Sequence, residues 1–125
     1  MVENLISEKI IGCAIQVHRA LGPGLLESAN AECLSYELKK TDLLVEREKQ
    51  IPLIYEEIRM DCGYRVDFMI EEKVIIEVKA VQSLTEIHWA QLLTYLKLSN
   101  CKLGLLITFN AIRVIDGVKR IVNRI

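Results

Sequence analysis

A central mixed β-sheet flanked by helices, an α/β fold of the α+β sandwich type, is predicted by three features of this 125-residue sequence. Two amphipathic helical stretches come first, alternating apolar segments follow, and a third helical stretch separates VIIEVKA (74–80) from the apolar run LGLLITF (103–109). Helices first, then meandering strands, then a helix and another strand, do not make a pure βαβ repeat. The chain has the length of a single domain, residues 1–125, long enough to bury about two thirds of its unfolded surface. Apolar residues make up 51% and charged residues 26%, with 6 Gly and 2 Pro, the composition of a packed core without linker or low-complexity tract.

Leu5, Ile6, Ile10, Ala14, Val17 and Leu21 recur at three- and four-residue steps and predict a first helix, which Gly22 and Pro23 stop. A second helix is expected from Leu25 to Lys40, with Leu26, Ala29, Cys33 and Tyr36 on its apolar stripe and Glu27 near its start. Ile51, Leu53 and Tyr55 alternate up to a turn at Glu56-Glu57. A long strand from Ile58 to Ile70 and its partner Val74–Ala80 complete a meander. Ser83-Leu84-Thr85-Glu86 fits a capping box that opens a third helix, running to Leu98. Leu103–Phe109 suits a central strand covered on both faces, and Val114–Val118 a hairpin turning at Asp116-Gly117.

Within VIIEVKA, side chains alternate faces, so Glu77 and Lys79 share one face with Ile75 while Val74, Ile76, Val78 and Ala80 share the other. If Glu71-Glu72-Lys73 closes the hairpin as a three-residue loop, Ile70 pairs with Val74, Asp67 lies opposite Glu77, and Arg65 lies opposite Lys79. Tyr64, Val66, Phe68, Ile76 and Val78 collect on the other face, and a one-residue slip would bury the charges. Like charges directly opposite each other are destabilising unless something sits between them. A magnesium ion is suited to that place, taking Asp67, Glu77 and the backbone carbonyl of Val78 as oxygen ligands. Lys79 would then stabilise charge on a reacting phosphate or position a water. A Glu-x-Lys pair also describes the solvated face of an antiparallel sheet. In the third helix His88, Gln91 and Tyr95, at i, i+3 and i+7, form a polar stripe able to reach the charged face.

The net charge of −1 excludes coating of nucleic acid by bulk electrostatics and leaves room for a local basic groove. Lys39-Lys40 and the C-terminal Lys119, Arg120 and Arg124 read as solvated surface. Cys13, Cys33, Cys62 and Cys101 form no C-x-x-C pair and are expected to be buried thiols. No apolar run has the roughly 18–20 residues of a membrane span, and the N-terminus lacks a signal-peptide layout, so a cytoplasmic location without membrane contact is expected. Glycine-rich phosphate loops are absent, and no cofactor motif supports a metabolic enzyme.

The segments VHRALGPGLLES, DCGYRVDF, VIIEVKA and HWAQLLTYLKL, taken in order, resemble the PD-(D/E)XK nuclease superfamily and in particular its small GxxExxY branch. The resemblance implies a restriction-endonuclease-like core and a metal-dependent nuclease that hydrolyses phosphodiester bonds, with DNA the expected nucleic-acid partner and Mg2+ or Mn2+ the cofactor. It places metal binding and catalysis on Asp67, Glu77 and Lys79, and a further metal or water contact on Glu27. Gln91 and Tyr95 match the Q-x-x-x-Y helix of the exonuclease-like RecB group, which contacts substrate, and His88 joins them as a candidate. The chain departs from the pattern at Asn30, where the branch has its tyrosine, and at Val66, which precedes Asp67 in place of proline. The alternative is a nuclease-fold module of weak or no activity that binds nucleic acid or a protein. Near-neutral charge and small size favour that alternative, or a second copy or protein partner that supplies DNA contacts.

Overall fold

The computed structural model describes residues 2–124. Helix α1 (Val2–Leu21) and helix α2 (Glu27–Lys39) precede strands β1 (Val45–Gln50), β2 (Leu53–Tyr55), β3 (Ile58–Met60), β4 (Arg65–Ile70) and β5 (Val74–Lys79). Helix α3 (Glu86–Ser99), strand β6 (Leu103–Thr108), a 3-10 turn (Val114–Gly117) and strand β7 (Val118–Val122) complete the chain. Five strands form one mixed sheet in the order β1-β4-β5-β6-β7, in which only the β5–β6 neighbours are parallel. The parallel step follows from α3, whose length carries the chain from the end of β5 back to the start of β6.

The sheet is buried on both faces, which makes this the α+β sandwich expected. Ile6, Ile10, Ala14 and Val17 of α1 and Ala31, Leu34 and Leu38 of α2 pack on Phe68, Ile70, Val74, Ile76 and Val78. On the opposite face Leu92, Tyr95 and Leu96 of α3 pack on Met69, Ile75, Leu106 and Ile121. A Cβ at Gly104 would lie 2.9 Å from the Leu92 side chain, so the small residue in β6 lets α3 sit close to the sheet. Helix α1 ends as its sequence predicts: Gly22, at φ +70°, donates its N–H to the His18 carbonyl at 2.8 Å.

Several expectations are corrected. Helix α2 starts at Glu27, not Leu25, and turns a different face inward: Asn30, Ala31, Leu34, Ser35 and Leu38 are buried, whereas Leu26 and Tyr36 are 75% and 66% exposed. The buried face carries the helix's two leucines, Leu34 and Leu38, which pack in the core shared with α1, and the exposed Tyr36 is the one large hydrophobic side chain of the helix left outside it. The segment VEREKQ, too charged to read as a strand, is β1, and it rather than 51–55 borders β4. The expected long strand 58–70 breaks at Asp61–Tyr64, where Gly63 takes φ +76°. Its first part pairs with β2 in a separate two-stranded sheet. The segment Val114–Gly117 is a 3-10 turn leading into β7 and not a hairpin at Asp116-Gly117, and β7 pairs with β6 across a longer connection. The capping box of α3 sits two residues later than expected, on Thr85 and His88. Of the cysteines, Cys13 and Cys101 are buried as expected, while Cys33 is half-buried and Cys62 exposed.

Candidate active site

The β4–β5 hairpin has the predicted register over its inner part, with Ile70 opposite Val74, Met69 opposite Ile75 and Phe68 opposite Ile76. Lys73 N–H closes the three-residue loop on the Ile70 carbonyl at 3.0 Å. Beyond Phe68 the backbone ladder gives way to side chains. The N–H of Asp67 donates to Glu77 Oε2 at 2.9 Å, and the N–H of Val78 donates to Asp67 Oδ2 at 2.8 Å. Asp67 and Glu77 therefore do face each other, but each carboxylate grips the other strand's backbone in place of a ladder bond.

The cause lies on both sides of β4. Arg47 pairs with Phe68 and Lys49 with Val66, but Glu48, between them, takes φ +49° and makes no ladder pair with Asp67. A left-handed residue in a strand is the kind of local distortion that re-aims neighbouring side chains. Past this point the strict alternation fails. Val66 packs in the α3-side core with Met69, not with Phe68 as expected, and the Tyr64 ring stands 6.1 Å from that of Tyr95. Arg65 is not opposite Lys79; it pairs with Gln50 and its guanidinium reaches Glu48 Oε2 at 3.3 Å.

Glu77 is 5% exposed. Burial, then the neighbouring Asp67 charge, push its carboxyl from 4.5 up to about 8, against the opposing pull of the Asp67 N–H and the Lys79 ammonium. Two carboxylates placed together with too little water to solvate both are a strong acceptor for a proton or a cation. Among the described residues Lys79 has no ion-pair partner within 4.0 Å, so its ammonium is free beside the pair.

The other predicted residues divide. Tyr95 is buried on the same side, where burial and then the Glu77 charge raise its hydroxyl above the usual phenol range, while a hydrogen bond from Gln91 lowers it. Tyr95 thus faces the carboxylate pair from α3, and the exposed Gln91 reaches the site only through the Tyr95 hydroxyl. His88 does not, because its Nδ1 accepts the Thr85 N–H at 3.1 Å and is committed to the start of the helix. Glu27, the first residue of α2, accepts the Ala80 N–H at 3.2 Å and with Asp67 lines a cleft of about 470 Å³. Among the described residues no three carboxylate, imidazole or thiolate groups converge as a ligand set. Glu27 therefore borders the pair without joining it. Asn30, one turn further along α2, is 2% exposed, and its side-chain oxygen has no hydrogen-bond partner among the described residues. Val78 contributes its N–H to Asp67 and its side chain to the α1/α2 core.

Sequence reading missed Arg47, which lines the same cleft, bonds Glu32 Oε1 at 2.9 Å and lies over the Phe68 ring at 5.0 Å. The signal in VEREKQ is the spacing of Val45 and Arg47, which share the α1/α2 side of the strand through their partners Ile70 and Phe68, whereas Lys49, beyond Glu48, lies on the α3 side with Val66.

The donor set fits a hard divalent cation. Magnesium takes one or two carboxylates and completes its shell with water and phosphate oxygens, and the close carboxylates of Asp67 and Glu77 supply that demand.

The Glu77 displacement also sets a stability profile. Because its folded value lies above the unfolded value of 4.5, the stabilisation it reports is complete below that value and is lost as pH rises through about 8. Metal-free protein is expected to lose on the order of 1 kcal/mol or more between pH 5 and pH 8 from this group. Glu77→Gln keeps an acceptor for the Asp67 N–H without the charge, so its melting temperature should exceed that of wild type at pH 8 and match it at pH 5. Metal-free melts across that range check this, and a variant that melts below wild type at pH 8 would contradict the paired-carboxylate geometry.

Comparison with known proteins agrees with this arrangement. The model of the PD-(D/E)XK nuclease superfamily matches residues 4–121 of the 125. No curated protein and no solved structure matches the chain.

Proposed function

This chain belongs to the PD-(D/E)XK nuclease superfamily, whose members generally use divalent metal ions, and from that premise we propose that it is a metal-dependent nuclease acting on DNA. The observation that carries the reading is the Asp67–Glu77 pair at a broken ladder, Glu77 buried and Asp67 half-buried, with a free Lys79 ammonium beside it. Asp67 and Glu77, with the carbonyl of Val78, would hold Mg2+ or Mn2+. When bound, the cation supplies Lewis-acid polarisation of a phosphate oxygen.

The protein's own groups do the rest. Lys79 places a fixed positive charge where negative charge grows on the phosphorus oxygens and orients the attacking water. Tyr95 and Gln91 donate to the substrate backbone from α3, and Glu27 orders water at the mouth of the cleft. His88, tied to the helix start, serves substrate binding through the position of α3. The order Gly24-x-x-Glu27, Asp67, Glu77-x-Lys79 and Gln91-x-x-x-Tyr95 supports the GxxExxY branch within the superfamily, with Asn30 in place of its tyrosine. Residues 1–125 act as one nuclease-like domain in the cytoplasm, in keeping with four cysteines present as free thiols.

The net charge of −1 and the small size of the chain favour a second reading, a module of the same fold that binds nucleic acid or a protein and cuts little. Plasmid and single-stranded substrates incubated with Mg2+ and with Mn2+ separate the two. Cleavage that is lost on chelation and restored by metal is the expected result, and intact substrate under every condition would favour the module.

A further inference from the structure

A cavity of about 640 Å³, larger than the cleft of about 470 Å³ beside Asp67, lies elsewhere on the molecule. It opens between the start of α3 and the β6–β7 edge, with Leu84, Trp89 and Ala90 on one side, Leu106 as its floor, and Thr85, Glu86 and Lys119 supplying its polar groups. The volume lies within the roughly 300–1,000 Å³ of small-ligand sites. Trp89 is 47% exposed, an unusual state for the chain's single tryptophan in a fold with this much covered surface.

The sheet register ties this cavity to the carboxylate pair. Glu77 pairs with Leu106, and Leu106 pairs with Lys119, so the three side chains stand in one row across β5, β6 and β7 on the face covered by α3. Neighbouring strands lie about 4.8 Å apart, which sets Lys119 about 10 Å from Glu77, with the apolar floor between them. A ligand filling this row must be flat and apolar where it meets Trp89 and Leu106 and anionic where it meets Lys119, and it must reach the Asp67–Glu77 end. A nucleotide unit has that distribution: the base stacks on an indole, its phosphate pairs with an ammonium, and its amino edge can donate to the Glu86 carboxylate.

We propose that the Trp89–Leu106–Lys119 cavity is a nucleobase subsite that receives an unpaired base of the strand being cut, one step from the scissile phosphate. The proposal rests on the nuclease reading of Asp67 and Glu77 and names the substrate form: single-stranded or frayed nucleic acid, since a base held in a duplex stack cannot enter. It also gives Lys119, which by sequence reads as solvated surface, a contact with the substrate backbone.

Trp89 emission reports on this cavity alone, because the protein has no other tryptophan. Wild-type protein in chelator, where no cutting occurs, is titrated with a short single-stranded oligonucleotide, with the same sequence carrying abasic sites, and with a blunt duplex. Saturable quenching by the first, and at least fivefold weaker response to the other two, is expected. Lys119→Ala should weaken the oligonucleotide response severalfold, and Trp89→Ala should raise KM for single strands at least fivefold, with a smaller rise for Trp89→Phe, which keeps an aromatic face. Quenching without cleavage in metal would leave the subsite standing and remove the nuclease reading. Metal-dependent cleavage with Trp89 emission indifferent to every oligonucleotide, or equal quenching by intact and abasic strands, would overturn the subsite. Emission that changes with protein concentration and not with nucleic acid would assign the cavity to a second copy of the chain and overturn it equally.

Discussion

Lys79→Ala is expected to lower metal-dependent DNA cleavage by about 10²-fold or more while leaving metal affinity within severalfold of wild type. The magnitude is that of removing one fixed group that stabilises charge in a transition state. An ammonium cannot ligate a cation, so its loss acts on the reaction and not on the metal shell. The structure makes the comparison clean. Lys79 is half-buried at the end of β5, has no ion-pair partner among the described residues, and pairs through its backbone with Thr108, so truncation should cost little stability. Lys79 lowers the proton affinity of Glu77 but repels a doubly charged ion more strongly than a proton, so the variant should bind metal no more weakly than wild type at neutral pH. Raising the pH should strengthen metal binding in the variant but not restore cleavage. Cleavage by Lys79→Ala equal to that of wild type would assign the activity to a contaminant or to a mechanism without this group.

The second large effect concerns the metal itself. Asp67→Asn and Glu77→Gln should each reduce Mn2+ binding below calorimetric detection, because each removes half of the charge that attracts the ion. Wild-type binding should be proton-coupled. With Glu77 held near 8, the pair carries a proton at pH 7 that the cation must displace. Affinity should therefore rise steeply, approaching tenfold for each pH step below that value, and level off above it. The apparent enthalpy should change with the ionisation enthalpy of the buffer. Isotherms unchanged by both substitutions would show that the metal lies elsewhere, and an affinity flat from pH 6 to pH 8 would show that Glu77 is already ionised in the free protein. Glu27→Gln should reduce affinity far less than either, since that carboxylate is engaged by the Ala80 N–H and only borders the pair.

The sequence by itself determined what short-range pattern can encode. The amphipathic spacing of α1, its glycine stop, the apolar run of β6 and the three-residue loop joining β4 to β5 each follow from local chemistry. So does the Ile70–Val74 register, from which the meeting of Asp67 with Glu77 follows, because a slip by one residue would exchange the buried and charged faces. Tertiary structure decided the rest. Which of two possible stripes of α2 turns inward, Leu34 and Leu38 or Cys33 and Tyr36, is settled by packing in the core shared with α1. Strand β1 exists because β4 offers it a ladder, which outweighs the poor strand propensity of VEREKQ. Positive φ at Glu48 and the end of β4–β5 pairing at Phe68 together turn Asp67 from a ladder residue into a carboxylate clasp, and no local sequence rule announces either. The row from Glu77 through Leu106 to Lys119 joins residues far apart in the chain. Only the parallel β5–β6 pairing and the antiparallel β6–β7 pairing bring them side by side, because sheet registers are fixed by long-range contacts that a linear reading cannot see.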